Sequence, residues 1–226
     1  MTTRRLRWLG GVAAMCALSP AAVAAGWRQY PAANAFSGSP VGIAIDPRGN
    51  PWVLTDALEI QRTSGPAVSV PGPSAPGAGV IASDAPGAVI VAWTGETADA
   101  GAVSVARHTG MGWADHVELE RIMGPSAVKS PAIAAGTKRS VVAWLAIPPG
   151  AAAPVLRTAW RDAQQAWTSP TTVASQAVGP PIVGVDAAGN TLVVWRSTGG
   201  QIVSARLDAG GSSSAAAGGS PCWSSS

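Results

Sequence analysis

Apolar and polar positions alternate in short runs along this chain, and the runs come in pairs that recur. Val80–Trp93 reads VIASDAPGAVIVAW, Ala132–Trp144 reads AIAAGTKRSVVAW, and Ile182–Trp195 reads IVGVDAAGNTLVVW. Each is an apolar run, a polar turn and a second apolar run closing on Trp, and the three tryptophans fall 51 residues apart. An earlier copy, Val41–Thr55, reads VGIAIDPRGNPWVLT and carries Thr55 in the Trp position. Short Val-rich runs bounded by Gly, Pro and Asp predict strands, because β-branched side chains suit a pleated surface and the boundary residues suit turns.

A period near 50 residues implies repeated supersecondary units, none of which buries its apolar face alone. In one unit the pattern predicts strands over Pro131–Ala135, Ser140–Ala146, Val155–Arg161 and Trp167–Ala174. The unit before it gives Gly79–Ser83, Ala88–Trp93, Ala102–Arg107 and Trp113–Leu119. The last supplies three, Pro181–Asp186, Thr191–Ser197 and Gln201–Leu207, and its fourth place falls in Gly/Ser/Ala sequence. The turn Asp46-Pro47-Arg48-Gly49-Asn50 has a mechanism: Asp opens it, Pro presets φ, and Gly takes the left-handed conformation. Asp186-Ala187-Ala188-Gly189-Asn190 repeats it, and Asp84-Ala85-Pro86-Gly87 keeps most of it. After the third strand of three units come Ala106-Arg107, Trp160-Arg161 and Ala205-Arg206. An outer Trp follows in two of them, Trp113 and Trp167.

Four antiparallel strands per unit at this period is the pattern of propeller blades. From Pro40 to Leu207 the chain resembles the secreted bacterial β-propeller repeat proteins of the sialidase-like group, whose blades read strand–DxxGN–strand–W, then AxR, then GxW. The resemblance implies an all-β, propeller-like array of about four four-stranded blades. It departs from sialidases in chemistry, since no S-x-D-x-G-x-T-W box occurs. Blade number and ring closure stay open. Trp27–Pro40 has the spacing of Trp167–Pro180, which offers Trp27–Ala33 as an outer strand against Gln201–Leu207; Trp223 is the rival for that place.

The N-terminus changes the charge picture. Thr2–Arg7 is basic, Trp8–Ala24 is apolar, and Val23 and Ala25 place small residues for cleavage before Gly26, so residues 1–25 read as an export signal. Residues 26–208 are then the repeat domain and 209–226 a Gly/Ser/Ala-rich disordered tail. The whole chain has 15 basic and 12 acidic residues; without Arg4, Arg5 and Arg7 twelve of each remain. That balance removes the electrostatic case for nucleic acid, and after cleavage no membrane segment is expected. Cys16 leaves with the signal and Cys222 stands alone in the tail, so no disulfide framework exists.

Candidate chemistry is sparse. Arg107, Arg161 and Arg206 form a tempting triad, but their repetition points to blade-to-blade contacts. Tyr30, the only tyrosine, lies outside every motif. His108 and His116 flank one hairpin with Asp115 nearby, which is short of a metal set and reads as a solvated hairpin. No cofactor fingerprint occurs. Trp93, Trp144 and Trp195 read as core. Trp113 and Trp167, beside glycine or polar residues, are the candidate ligand-binding residues, since sugar C–H faces stack on indole. The expectation is a secreted, extracellular or periplasmic scaffold without catalysis, mediating protein interaction or structure. A carbohydrate-binding module is the alternative and a sialidase-like glycoside hydrolase a second one.

Overall fold

The computed structural model describes residues 38–62, 65–72, 76–124, 127–163, 166–210 and 213–216. Among them are sixteen strands and no helix, in four four-stranded antiparallel sheets that each follow the chain order. The first blade is β1 (Pro40–Ile45), β2 (Pro51–Thr55), β3 (Glu59–Arg62) and β4 (Val68–Ser69). The second is β5 (Pro76–Ala85), β6 (Ala88–Glu96), β7 (Ala100–His108) and β8 (Trp113–Met123). The third is β9 (Val128–Ala135), β10 (Arg139–Ala146), β11 (Val155–Asp162) and β12 (Thr171–Ala174). The fourth is β13 (Ala177–Val185), β14 (Thr191–Ser197), β15 (Ile202–Leu207) and β16 (Ser213–Ala216).

The inner strands β1, β5, β9 and β13 neighbour one another in that order, as blades of a propeller do, but the arrangement is an open arc in which β13 does not pack back on β1. Prolines shape these inner strands. The β9–β10 register shifts between Ala143 and Leu145, opposite Ser130-Pro131, and the β13–β14 register shifts opposite Gly179-Pro180-Pro181. A proline has no N–H for the ladder, so pairing is interrupted there and resumes after a bulge.

The core is the set of junctions between blades. Ala44, Trp52, Leu54 and Ile60 of the first blade pack against Val89, Val91 and Trp93 of the second. Ile90, Ala92, Val103 and Val105 meet Val142, Trp144 and Ala146. Ala143, Leu145 and Leu156 meet Val193 and Trp195. Period-2 alternation thus gives each middle blade two buried faces, a trailing face with the Trp toward the preceding blade and a leading face toward the next. Trp93 and Trp144 are fully buried. A burial of that size contributes up to about 4–6 kcal/mol each by area.

Two strand expectations are corrected. Trp167 precedes β12 instead of opening it: Thr168 donates its N–H to Trp160 O and its Oγ1 accepts from Trp160 N, which holds this stretch as a loop closing on β11. The edge of β15, offered in the sequence to Trp27–Ala33, is already paired. Ser213–Ala216 takes that place, pairing Leu207 with Ser213 and Ser204 with Ala216. An open strand edge is a row of unpaired donors and acceptors, and the chain that follows β15 covers it. The export signal, Trp27–Ala33 and Trp223 lie outside the described residues.

Candidate functional site

At one end of the arc, the β5–β6 turn, the β7–β8 connection and the β9–β10 and β11–β12 ends surround an open cavity of about 650 Å3, with Pro47 of the first blade at its margin. Its polar groups are Asp84, Arg107, Asp115, Arg139, Ser140, Arg161 and Asp162. The cavity therefore straddles the second and third blades.

Register explains why two arginines converge there. Arg107 stands opposite Ile90, on the leading face of the second blade, whereas Arg161 stands opposite Ser140, on the trailing face of the third. Both reach Asp84: Arg107 through Nε, and Arg161 through a guanidinium nitrogen 3.5 Å from Oδ1. A second nitrogen of Arg161 lies 3.5 Å from Asp115 Oδ2, and Ser140 Oγ is 3.5 Å from Asp84. Arg206, the third member of the sequence triad, is elsewhere and pairs with Asp208.

Asp115 sits at φ 55°, a left-handed conformation that Asp tolerates better than most residues. It falls where the β7–β8 register shifts between Val105 and Arg107. Bulges of this kind re-aim a side chain, and here the half-exposed carboxylate is turned into the cavity. Arg139 has a different task. It is buried, pairs with Asp162 at 2.7 Å, and donates to Asp208 O and Ala209 O, so it ties the third blade to the loop after β15. The adaptable groups are Asp84, Arg107, Asp115, Ser140 and Arg161, which offer cationic donors beside anionic acceptors.

The two tryptophans singled out in the sequence are not brought together. Trp167 is half-buried against the core between the second and third blades, with Arg161 5.5 Å above its ring, so it backs the cavity. Trp113 packs at the junction of the first two blades and donates its indole N–H to Ser69 O at 2.8 Å. The histidines also separate. His108 is buried between Trp52 and Trp113, at 5.4 and 5.1 Å, and accepts from Gly110 N at Nδ1; this corrects the solvated-hairpin reading. Burial pushes the His108 pKa below its ordinary value. His116 stacks on Trp93 at 5.4 Å. Sequence equivalence of the three arginines concealed the site, because residues at matching strand positions face opposite ways. The signal was the differing spacing from each Trp to its Arg.

No protein-family model matches the chain, and no curated protein matches it significantly. Among solved structures, it is similar to an alpha-L-arabinanase of Penicillium chrysogenum complexed with arabinobiose, at 13% identity and TM-score 0.56, over 82% of this chain and 68% of that one. A fucose-specific lectin of Aleuria aurantia described as a six-bladed β-propeller is aligned at 11% identity and TM-score 0.33, over 80% of each chain. The fold is a β-propeller fold. The expectation of a chain without catalysis is corrected: an arabinanase is built on this fold, so the fold does not separate binding from cleavage.

Proposed function

We propose that the chain is a glycan-recognition propeller whose site is the cavity between the second and third blades. One observation carries this reading: Arg107, Arg161, Asp84, Asp115 and Ser140 from two blades converge on one open cavity. Neutral sugars present vicinal hydroxyls that both donate and accept, and a wall alternating guanidinium and carboxylate answers both needs. The nearly balanced charge of this wall favours a neutral glycan over a strongly anionic one. Trp167 lies behind Arg161 and holds it in place, while Asp115 stays the most accessible carboxylate. The arabinobiose-bound neighbour supplies a first probe class, pentose oligosaccharides. Export through residues 1–25 belongs to the same proposal, since it would bring the site to extracellular or periplasmic glycans.

The test is titration of the purified chain with arabinan-derived and other neutral oligosaccharides, after a glycan array. Asp115→Asn preserves the left-handed turn and is expected to weaken binding about tenfold, the loss of one charged hydrogen bond. Release of reducing sugar is followed in the same samples and separates a binding module from a hydrolase. A wild-type chain with no signal across the array overturns the reading.

Protein interaction is a second reading, favoured by a separate observation: an exposed apolar face on the fourth blade.

A further inference from the structure

A second cavity, of about 390 Å3, lies on the trailing face of the second blade, at the other end of β6 and β7 from Asp84. Register builds it in two rows. Trp93, Ser104 and Glu118 stand opposite one another across β6, β7 and β8, and Gly95, Ala102 and Arg121 form the next row. The small side chains of Gly95 and Ala102 hollow the sheet, while Ser104, His116, Glu118 and Arg121 supply a polar wall. Pro71 and Gly72, which follow β4 of the first blade, border the cavity from the other side.

At the next junction the corresponding space is filled. Trp144 Nε1 donates to Glu120 at 2.8 Å, and Arg157, opposite Trp144 in the register, pairs with the same carboxylate at 2.9 Å. Between the first and second blades both filling side chains are missing. Ser104 stands opposite Trp93 where Arg157 stands opposite Trp144. Gly72 is the residue aimed at the indole nitrogen, since a Cβ there would lie 2.9 Å from Trp93 Nε1. That nitrogen is buried with no hydrogen-bond partner among the described residues. Ser104 lines the cavity at 6% exposure, and its hydroxyl has no partner among the described residues either. A buried polar group left unpaired is destabilising and rare in folded proteins, so two of them beside one opening point to a partner from outside the chain.

We propose that this cavity binds a small carboxylate ligand, whose carboxylate takes the place that Glu120 takes at the next junction. One oxygen accepts from Ser104 Oγ and Trp93 Nε1, and Arg121 at the rim supplies the cation that Arg157 supplies there. Arg121 holds Glu118 through two nitrogens, which offsets the repulsion Glu118 would exert on the ligand. His116, stacked on Trp93, closes the side of the cavity. Hydrogen bonds to a charged acceptor are about twice as strong as neutral ones, which favours a carboxylate over a hydroxyl at these donors. The volume is at the small end of ligand sites and suits one sugar acid or a short organic acid. The inference does not depend on the neutral-glycan reading, which concerns the other cavity.

The experiment is a titration of the full isotope-labelled chain, read on the indole N–H resonances and assigned with Trp93→Phe. The probes are acetate, glucuronate and, as the neutral counterpart of the same skeleton, glucose. Both carboxylates are expected to move the Trp93 resonance in a saturable way and glucose to leave it in place. The Trp144 resonance is expected to stay still, because Glu120 already holds its N–H. Saturation by glucuronate at a lower concentration than by acetate identifies a uronate, and saturation by acetate at an equal or lower one identifies a free organic acid. Ser104→Ala and Arg121→Gln are each expected to weaken the carboxylate about tenfold, with circular dichroism identical to wild type showing that each variant folds. Three results overturn the proposal: a Trp93 resonance unmoved by both carboxylates, glucose moving it as far as glucuronate does, or an affinity unchanged in both variants.

Discussion

Gly87 N–H donates to Asp46 Oδ2 at 3.1 Å, so a turn of the first blade is fastened to the turn of the second, 41 residues on. The other oxygen of Asp46 accepts from Arg48 N and Asn50 N at 2.9 Å, and Asn50 Nδ2 adds a further bond. Asp186 repeats the internal bonds with Ala188 N, Asn190 N and Asn190 Nδ2, with Gly49 at φ 81° and Gly189 at φ 92° in the matching places. The motif thus builds its own hairpin in both blades and in the first reaches across a junction.

This geometry sets a pH dependence. Burial would raise the Asp46 pKa, but the hydrogen bonds from Asn50, Arg48 and Gly87 outweigh it and hold the group down at about 2. A carboxylate lowered on folding stabilises the protein above its ordinary pKa and loses that contribution as pH falls toward the folded value. Stability is therefore expected to drop between about pH 4 and pH 2, and Asp46→Asn should flatten that part of the curve while lowering the melting midpoint by a few degrees at pH 7. Thermal melts across that range check it; an unchanged slope in the variant would count against the clamp.

His108 supplies a second titration, in a different window. Its buried ring between Trp52 and Trp113 favours the neutral form, so its pKa lies below the unfolded value of 6.5. The unfolded chain then takes the proton more readily, and stability is full above about pH 6.5 and falls as pH drops below it. His108→Phe keeps an aromatic ring against both tryptophans and is expected to lose the part of the denaturant-midpoint change that wild type shows between pH 7 and pH 5.

Junction packing predicts the largest losses. Trp144 is fully buried and its indole N–H donates to Glu120 at 2.8 Å, so Trp144→Ala is expected to cost about 3–5 kcal/mol in urea unfolding. Gly72→Ala tests the same kind of junction from the other side. A Cβ there would stand 2.9 Å from Nε1 of the buried, rigid Trp93, and overpacking of this sort costs about 1–3 kcal/mol. Gly49→Ala meets no atom within 4 Å, and its cost comes from the positive φ alone, about 1–2 kcal/mol. Comparing the two alanine variants separates crowding from backbone conformation.

The blade plan was legible because it rests on local chemistry: Val-rich alternation, the Asp-to-Asn turn and the Trp within β6, β10 and β14 each specify a hairpin within about 15 residues. The cavity was not, because it depends on which way a side chain faces. Arg107 and Arg161 follow their tryptophans by unequal spacings, since the connection before β11 is longer than the one before β7. Matching sequence positions therefore land on opposite faces, and only the three-dimensional register shows both reaching Asp84. The open ring was also out of reach, because closure depends on the angle each blade makes with the next.

Ser213–Ala216 escaped the sequence for the opposite reason: Ser-Ser-Ala-Ala has neither β-branched residues nor an apolar alternation, and what makes it a strand is the edge of β15. Such a strand contributes mainly backbone hydrogen bonds, each worth about 0.5–1.5 kcal/mol. The loop before it is held independently, because Arg139 binds Asp208 O and Ala209 O and Ala209 N donates to Asn190 Oδ1. A chain truncated after Ala209 keeps those bonds and loses the fourth strand of the last blade. Its melting midpoint is expected to fall by a few degrees, with faster hydrogen exchange confined to the amides of β15 and unchanged protection in β14 and β10. Replacing Ser214 by Pro in the full chain removes a ladder donor opposite Arg206 and should reproduce the β15 exchange without the deletion. If neither change alters exchange in β15, Ser213–Ala216 does not cover that edge in solution.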